Sequence, residues 1–513
     1  MQIAPSPVAK QRRPVIGGTL RIRRIGLHTQ REPVVIMRRD CALCRSEGLG
    51  SRSQVLLRAD GREVTAILFQ GAEQLLERDE IGLSDAAWTL LDGREGELVS
   101  VSHVQPLRSM QWVRGRIFGQ SIKAAAFDEI IPDVVAGRYS DVQLSAFITA
   151  GSSFPFSDDE TFALTNAMVE AGERLQWNDK TVVDKHSVGG LPGNRTSPIV
   201  VAIVAACGLT IPKTSSRAIT SPAGTADSME TVTRVDLGPT LMRKVVEQEG
   251  GCLVWGGALN LSPADDIFIG VERQLDVDPE GQLIASVLSK KIAAGATRVV
   301  LDIPVGPTAK VRSHESAERL ARRLTQIGAR FGLVVQCQLS DGTQPVGRSI
   351  GPALEMMDVL SVLRMESNAP IDLKERSLAL ASAVIALGRE CTAEEARATA
   401  EQTLETGAAY RKFEQICLAQ GAFRQPPRAK LQQDVEALTS GRVTSINNRA
   451  IAQLAKLAGA PDMPAAGLRL HARIGDWVEK GQPLITLYAD TQAELSYPLA
   501  YASSTPDIIE FGP

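Results

Sequence analysis

Neither sign of charge dominates this chain: 56 basic residues stand against 59 acidic ones, for a formal net charge of −3. Such a balance gives no general attraction to nucleic acid or to an anionic membrane surface, so neither is expected as a partner. No apolar run approaches the roughly 18 residues that a membrane-spanning helix needs. The N-terminus, MQIAPSPVAKQRRP, has basic residues with no apolar stretch after them, which does not make a secretory signal. Cysteines are few, seven in 513 residues, and without export features they read as reduced thiols of a cytoplasmic protein. What is present is a 44% hydrophobic fraction, ample for large cores, on a length that suggests about three or four domains.

The chain divides where its hydrophobic period changes. Residues 1–18 are proline-rich and aperiodic, and are expected as a disordered tail. From 19 to 106, runs such as LRIRRIGL, PVVIMRR and SQVLLRADGREVTAILF alternate with turns, the pattern of a small β-rich N-terminal domain. Asp60–Gly61, between two apolar runs, predicts a hairpin. Cys41 and Cys44 form a lone CxxC; apart from His28 no further zinc ligand is near, and the pair reads as ordinary thiols, so no metal is expected. From 107 to 177 the period becomes helical. Asp141–Ala150 and Phe162–Leu175 carry apolar residues at i, i+3 and i+4, and Ser157 with Glu160 fits a capping box. Residues 262–296 return to this helical lobe. Residues 178–261 and 297–435 alternate strand and helix, as in an α/β lobe with a mixed sheet. The segment 436–513 contains GLRLHARIGDWVEKGQPLITLY, which resembles the barrel-sandwich hybrids that carry biotin or lipoate. Its Lys480 lacks the flanking pattern of a modified lysine, so an α+β barrel-sandwich-like domain without a carrier role is expected. The whole reads as an α/β multidomain protein.

The chemistry concentrates between Asp184 and Glu230. Two glycine- and hydroxyl-rich loops, DKHSVGGLPGNRTS and KTSSRAITSPAGTADSMET, flank the apolar segment SPIVVAIVAACG. The first offers Lys185, Ser187, Gly189, Gly190, Gly193 and Thr196; the second offers Ser215, Ser216, Arg217, Thr220, Ser221, Gly224 and Thr225. Such a set suits a phosphate. Glycines let backbone N–H groups approach an anion, hydroxyls donate adjustable hydrogen bonds, and Lys185 supplies a point charge. A helix over Ser197–Cys207 would add the positive end of its dipole. The lysine precedes the glycines, so the first loop is not the G-x-x-x-x-G-K-[ST] nucleotide loop. Asp227 and Glu230 share a helix face; they are either catalytic or, more simply, partners of Arg217 and of a helix N-terminus. Ser286 and Lys290 lie one turn apart on a further helix, and Lys310 follows the apolar strand VVLDIPV.

DKHSVGG followed by SSRAITSPAGTADSMET resembles the signature of the thymidine phosphorylase family, most closely the branch of type 2 thymidine phosphorylases and AMP phosphorylases. The resemblance extends over nearly all of the chain after Ile22. It implies a helical lobe joined to an α/β lobe across a cleft, a homodimer, and no cofactor beyond inorganic phosphate as co-substrate. It implies phosphate contacts at Lys185, Ser187, Ser197, Ser215 and Thr225. It implies substrate contacts at Gly190, at Ser216, Arg217, Ala218, Ile219, Thr220 and Ser221, and at Thr225, Ser286, Lys290 and Lys310. It further implies a proton donor at Asp278, which needs burial or a like charge such as Asp276 or Glu280 to hold its proton; His186 is placed to donate to a base carbonyl.

The reaction implied is phosphorolysis of an N-glycosidic bond, thymidine and phosphate giving thymine and 2-deoxyribose 1-phosphate. The alternative is cleavage of AMP or another nucleoside 5′-monophosphate to free base and ribose 1,5-bisphosphate. One departure bears on the choice: where ordinary bacterial thymidine phosphorylases place an arginine on the pyrimidine, fifteen residues before the serine matched by Ser286, this chain has Val271, with Arg273 two residues on. A phosphoribosyltransferase of the anthranilate type shares the general plan but needs an acidic pair for magnesium, and Asp227 and Glu230 are not adjacent. A non-enzymatic ligand-binding protein is the remaining reading.

Overall fold

Period-two alternation in the first hundred residues closes into a barrel. The strands β1 (Gly18–Arg24), β2 (Val34–Arg38), β3 (Gln54–Ala59), β4 (Arg62–Gly71), β5 (Glu80–Leu83) and β6 (Leu98–His103) pair in the order β1-β5-β2-β4-β3-β6 and back to β1. The computed structural model describes residues 18–30, 32–178, 181–218 and 221–512; the tail expected at 1–18 thus lies outside them except for Gly18, which opens β1. The turn between β3 and β4 is the two residues Asp60 and Gly61, at φ +43° and +81°, the left-handed pair a tight hairpin demands. Val55, Leu57, Leu68, Val99 and Val101 point inward with no exposed surface. Two short helices, α1 (Ala42–Ser46) and α2 (Asp85–Leu91), sit in the connections. In the CxxC, Cys41 Sγ accepts from Cys44 N at 3.2 Å and so caps α1; burial pushes the Cys44 thiol up to about 12. Residues up to Gln111, with Ala136–Ser140, form one compact unit. Residues 107–111 and 136–140, read from sequence as helical lobe, therefore group with the N-terminal unit.

The second unit holds the rest of the chain. Its helical part is built from α3 (Met110–Ile117, from Trp112 onward), α4 (Ala124–Val135), α5 (Asp141–Ser153) and α6 (Asp158–Glu170), completed by two later helices. Ser157 and Glu160 make the reciprocal capping box at the start of α6. The interior contains a chain of aromatic contacts, Phe127–Phe156–Phe147–Phe268.

The α/β part follows as β7 (Val183–Ser187), α7 (Thr196–Ala206), β8 (Ile211–Ser215), α8 (Thr225–Glu230), α9 (Pro239–Glu249) and β9 (Gly251–Trp255). Then α10 (Pro263–Leu275) and α11 (Glu280–Ala293) return to the helical part, with α11 packed on α6 and α10 on α5. The chain resumes with β10 (Arg298–Val305), α12 (His314–Arg330), β11 (Val334–Asp341), β12 (Ser349–Ile350), α13 (Pro352–Leu363), α14 (Ile371–Arg389), α15 (Ala393–Glu405) and α16 (Ala408–Gln420). Strands β11, β10 and β7 form one parallel sheet, β8 and β9 another, and the two meet at the parallel bridge Val182–Thr210. Helix α7 is buried along ten consecutive residues, Thr196 to Ala205. Each of its Ile and Val side chains contributes about 1.5–3 kcal/mol by leaving water, which fixes the segment between the two loops.

The C-terminal part comprises β13 (Leu431–Glu436), β14 (Gly441–Ile446), α17 (Asn448–Leu457), β15 (Gly467–Leu470), β16 (Trp477–Val478), β17 (Pro483–Ala489), α18 (Gln492–Ser504) and β18 (Ile509–Gly512). Two small antiparallel sheets, β12-β15-β17-β13 and β16-β14-β18, enclose its core. Because β12 belongs to one of them, the α/β chain is woven into this domain. Asn448, at the head of α17, donates to Thr308 Oγ1 at 2.9 Å and to Gly342 O at 3.0 Å. No described helix is long and apolar enough to cross a membrane.

Candidate active site

Strands β7, β8 and β10 run parallel, so their C-terminal ends open on one side, where ligands of α/β sheets collect. The loops after them carry the residues in question. In the first loop Lys185 is 1% exposed, and its Nζ donates to Thr196 Oγ1 at 2.6 Å. Burial pulls the ammonium down to about 8, against the opposing fields of Asp302 and Asp184. Asp184, beside it, pairs with Lys291 at 2.6 Å and lies 4.0 Å from Lys213. Burial and the surrounding lysines push Lys213 well below its ordinary value. They do the same to His186, which is therefore neutral and has one N–H to give. Ser187 Oγ donates to Asp302 Oδ2 at 3.0 Å, Asn194 Nδ2 reaches both groups at 3.2 Å, and Ser340 Oγ donates to the other Asp302 oxygen. Asp302, fully buried on β10 and in register with Ser187, thus sets the direction of that hydroxyl.

Arg195 joins the first loop to the second. Its Nη1 donates to Thr225 Oγ1 at 2.8 Å, its Nη2 to Ala223 O at 2.8 Å, and its Nε to Glu355 Oε2 at 2.7 Å. Both partners of the ion pair are buried. Within the second loop, Asp227 accepts from Ala218 N at 2.6 Å and Gly224 N at 2.8 Å. Arg217 bridges Asp227 and Glu230 and lies over the Trp255 ring, so these acids are structural partners of the loop. Ser215 Oγ donates to Val254 O at 3.3 Å and Ser221 Oγ to Ala223 O at 2.9 Å. At Gly224 a Cβ would sit 2.5 Å from Ser216 O and from the Arg217 carbonyl carbon. Replacing Gly224 by alanine is therefore expected to cost about 1–3 kcal/mol through overpacking. Thermal denaturation reads this as a lowered midpoint that millimolar phosphate no longer raises; an unchanged midpoint would show that the loop relaxes freely.

Both loops face a cleft of about 770 Å³. It is lined by Lys185, His186, Ser187, Gly190, Ser197, Ser215, Ser216, Arg217, Ser221 and Thr225, and also by Asp278, Ser286, Lys290 and Lys310. Ala218 is not among the lining residues; its N–H, expected to serve a substrate, is taken by Asp227. Ile219 and Thr220 lie outside the described residues. Lys290 Nζ donates to Ser286 Oγ at 3.1 Å and to Asp265 Oδ2 at 2.8 Å, tying α11 to α10. Asp278 is ion-paired with Lys310. The two acids expected to act on it are engaged elsewhere: Asp276 by Arg449 at 3.3 Å, and Glu280 by Arg319 and Arg323 at 3.3 and 2.7 Å. Val271 is buried, whereas Arg273 lines the cleft. Arg449 and Lys456 bring α17 to the same cleft.

Sequence reading missed Arg195, Asp302, Lys213, Lys291 and Glu355. Three of them carry a local sign: Asp302 in VLDIPV, Lys213 in LTIPKTS and Glu355 in PALEMM are single charges in apolar runs, and a buried charge requires a partner. Arg195 and Lys291 sit among polar neighbours and carry none.

A helical bundle and a parallel α/β part around a cleft that gathers cations and hydroxyls define a glycosyl-transferring enzyme of the pentosyl class. Residues 179–410 match the family model described as glycosyl transferase family, a/b domain, and residues 113–172 the helical bundle domain of that family. Residues 442–505 match the pyrimidine nucleoside phosphorylase C-terminal domain. The chain is 57% identical over 493 residues to a protein of Chelativorans sp. (strain BNC1), covering 96% of this chain and 97% of the other. It is 56% identical over 490 residues to one of Parvibaculum lavamentivorans, with the same two coverages. Both are named "Putative thymidine phosphorylase". Among solved structures it is similar to anthranilate phosphoribosyltransferase from Thermus thermophilus, with a TM-score of 0.51 at 21% identity over 60% of this chain and 99% of that one, a likeness of fold alone. The chain belongs to the thymidine phosphorylase family.

Proposed function

We propose that the protein cleaves the N-glycosidic bond of a pyrimidine nucleoside with inorganic phosphate, thymidine and phosphate giving thymine and 2-deoxyribose 1-phosphate. The observation that carries this reading is the Arg195 bridge, which makes one cradle of two loops in the cleft that also holds Ser286 and Lys290. Relatives named for thymidine, matched over almost their whole length, favour a nucleoside over a nucleoside monophosphate.

In this reading Lys185 and the hydroxyls of Ser187, Ser197, Ser215 and Thr225 hold the phosphate dianion. Ser187 does so by turning its proton from Asp302 toward the ligand. Phosphate oxygen attacks C1′ while the base departs with the bonding pair, through an oxocarbenium-like sugar. Ser286, Lys290 and neutral His186 meet the polar edge of the base, and the resemblance assigns the proton it needs to Asp278. Holding both reactants in one site supplies the orientation, and charge-assisted hydrogen bonds stabilise the developing charges. The family resemblance adds a homodimer, and the few cysteines, read as reduced thiols, a cytoplasmic location.

Thymidine and AMP incubated with the enzyme, each with and without phosphate, separate the readings. Thymine release that requires phosphate is expected, with no adenine from AMP. Thymine release independent of phosphate would make the enzyme a hydrolase and end this proposal. A diphosphate-dependent transferase is disfavoured because Asp227 and Glu230 are already bound by Arg217.

A further inference from the structure

The wall of the cleft formed by α10 presents Asp265, Ile269 and Glu272 at spacings of four and three, one face of the helix, with Asp276 at its C-terminal cap. Asp265 is paired with Lys290 and Asp276 with Arg449, and Asp278, just beyond the helix, with Lys310. Glu272, half-buried between them, has no hydrogen bond or ion pair from its carboxyl group among the described residues. The helix dipole does not explain its place, because a carboxylate in the last turn of a helix is disfavoured. Asp265, Asp276 and Asp278 are each held by a cation, so of these four acids Glu272 is the one left for something that enters the cleft.

We propose that the Glu272 carboxyl group, in place of Asp278, protonates the departing base. The inference rests on the phosphorolysis reading above. Four charged groups act on Glu272: Asp265 from its own helix, Asp278 from the following loop, Lys290 from α11 and Lys310 from the loop after β10. Burial acts most strongly, the two acids reinforce it and the two lysines oppose it, so the carboxyl group is pushed up to about 8 and keeps its proton at neutral pH. A general acid works best when its pKa lies near the operating pH. Asp278, by contrast, has Lys310 Nζ on its oxygen, and that contact must break before it can act.

The step balances without another reactant. The C1′–N bond breaks and its electron pair passes to the base, which takes the Glu272 proton. A phosphate oxygen forms the new bond to C1′. The phosphate proton is released as the ester forms, and its return through water restores the Glu272 acid.

Glu272→Gln keeps the shape and removes the proton. With thymidine at saturating phosphate, kcat is expected to fall about 100-fold, the lower range for general acids, while KM stays within about threefold. A nucleoside whose base carries an electron-withdrawing 5-substituent leaves more easily unprotonated, and its kcat should fall less than about tenfold. In the unsubstituted enzyme kcat should decline above about pH 8, where the acid form is lost; the variant should lack that limb. Glu272→Asp should recover part of the rate, and thermal midpoints check that both variants fold. Equal losses with the two bases, or a Glu272→Gln kcat within threefold of the original, overturns the proposal while the phosphorolysis reading stands. No phosphate-dependent base release by the unsubstituted enzyme overturns both.

Discussion

Lys185→Met is expected to remove phosphate-dependent turnover, by about 1000-fold or more, without lowering the thermal midpoint. The activity loss follows from the place of the ammonium: it ends on Thr196 Oγ1 in the first loop, and hydrogen bonding there leaves it two further protons for an anion. An oriented charge in a water-poor site is worth about 10²–10³ in rate when a single donor is removed, and a full cation adds Coulomb attraction. Stability moves the other way. Burial lowers Lys185 from 10.5 to about 8, so keeping it charged costs the folded state on the order of 3 kcal/mol near neutrality. Methionine is of similar length and carries no such cost. Asp184 keeps Lys291, and Asp302 keeps its three donors, so neither acid is stranded.

The same residue gives opposite pH trends. Between about 8 and 10.5 the unfolded chain binds the Lys185 proton and the folded chain does not. The contribution of this group to stability therefore rises with pH across that window. The form that attracts phosphate is lost as pH passes about 8, so kcat/KM for phosphate should fall there while kcat at saturating phosphate, with the anion holding the proton on, does not report Lys185. Phosphate-dependent base release and a thermal melt on one preparation check both statements. A Lys185→Met enzyme with ordinary turnover would remove Lys185 from the phosphate site, and a lower midpoint would mean that its attraction to Asp302 and Asp184 outweighs its burial.

What could be read from sequence was what neighbours in the chain decide. Asp60–Gly61 makes its hairpin because only left-handed residues close a two-residue turn, and Ser157 with Glu160 caps α6 because both groups lie within one turn. The two loops were legible because glycine and hydroxyl residues in such density have few other uses. The closure of the barrel was not, since β1 pairs with β5 and β6, some sixty to eighty residues on. The fate of Ala218 N turned on Asp227, nine residues away. Glu272 reads as one more charge in VERQLDVDPEG; only the tertiary pairing of Asp265, Asp276 and Asp278 singles it out. Sequence supplied the reactive groups, and contacts at long range decide which of them remain available.

The joint between the two loops is another of those long-range contacts, since Arg195 and Glu355 are 160 residues apart. Glu355→Leu should therefore have the largest effect on stability of any single change at the site. It leaves the Arg195 guanidinium buried without a counter-charge, which costs about 3–5 kcal/mol; Gly351 N, which donates to Glu355 Oε1 at 3.1 Å, loses its acceptor as well. The double variant Arg195→Met, Glu355→Leu is expected to regain most of that stability, because a buried ion pair replaced by apolar residues of similar size is often neutral. Activity should not return with it. Thr225 Oγ1 and Ala223 O would have no guanidinium to hold them against the first loop, and a displacement of about 1 Å in a reacting assembly can cost on the order of 100-fold. Denaturant unfolding alongside phosphate-dependent base release separates the two quantities. If the double variant were stable and fully active, the second loop would hold its place through Asp227 and Arg217 alone, and Arg195 would be a packing residue.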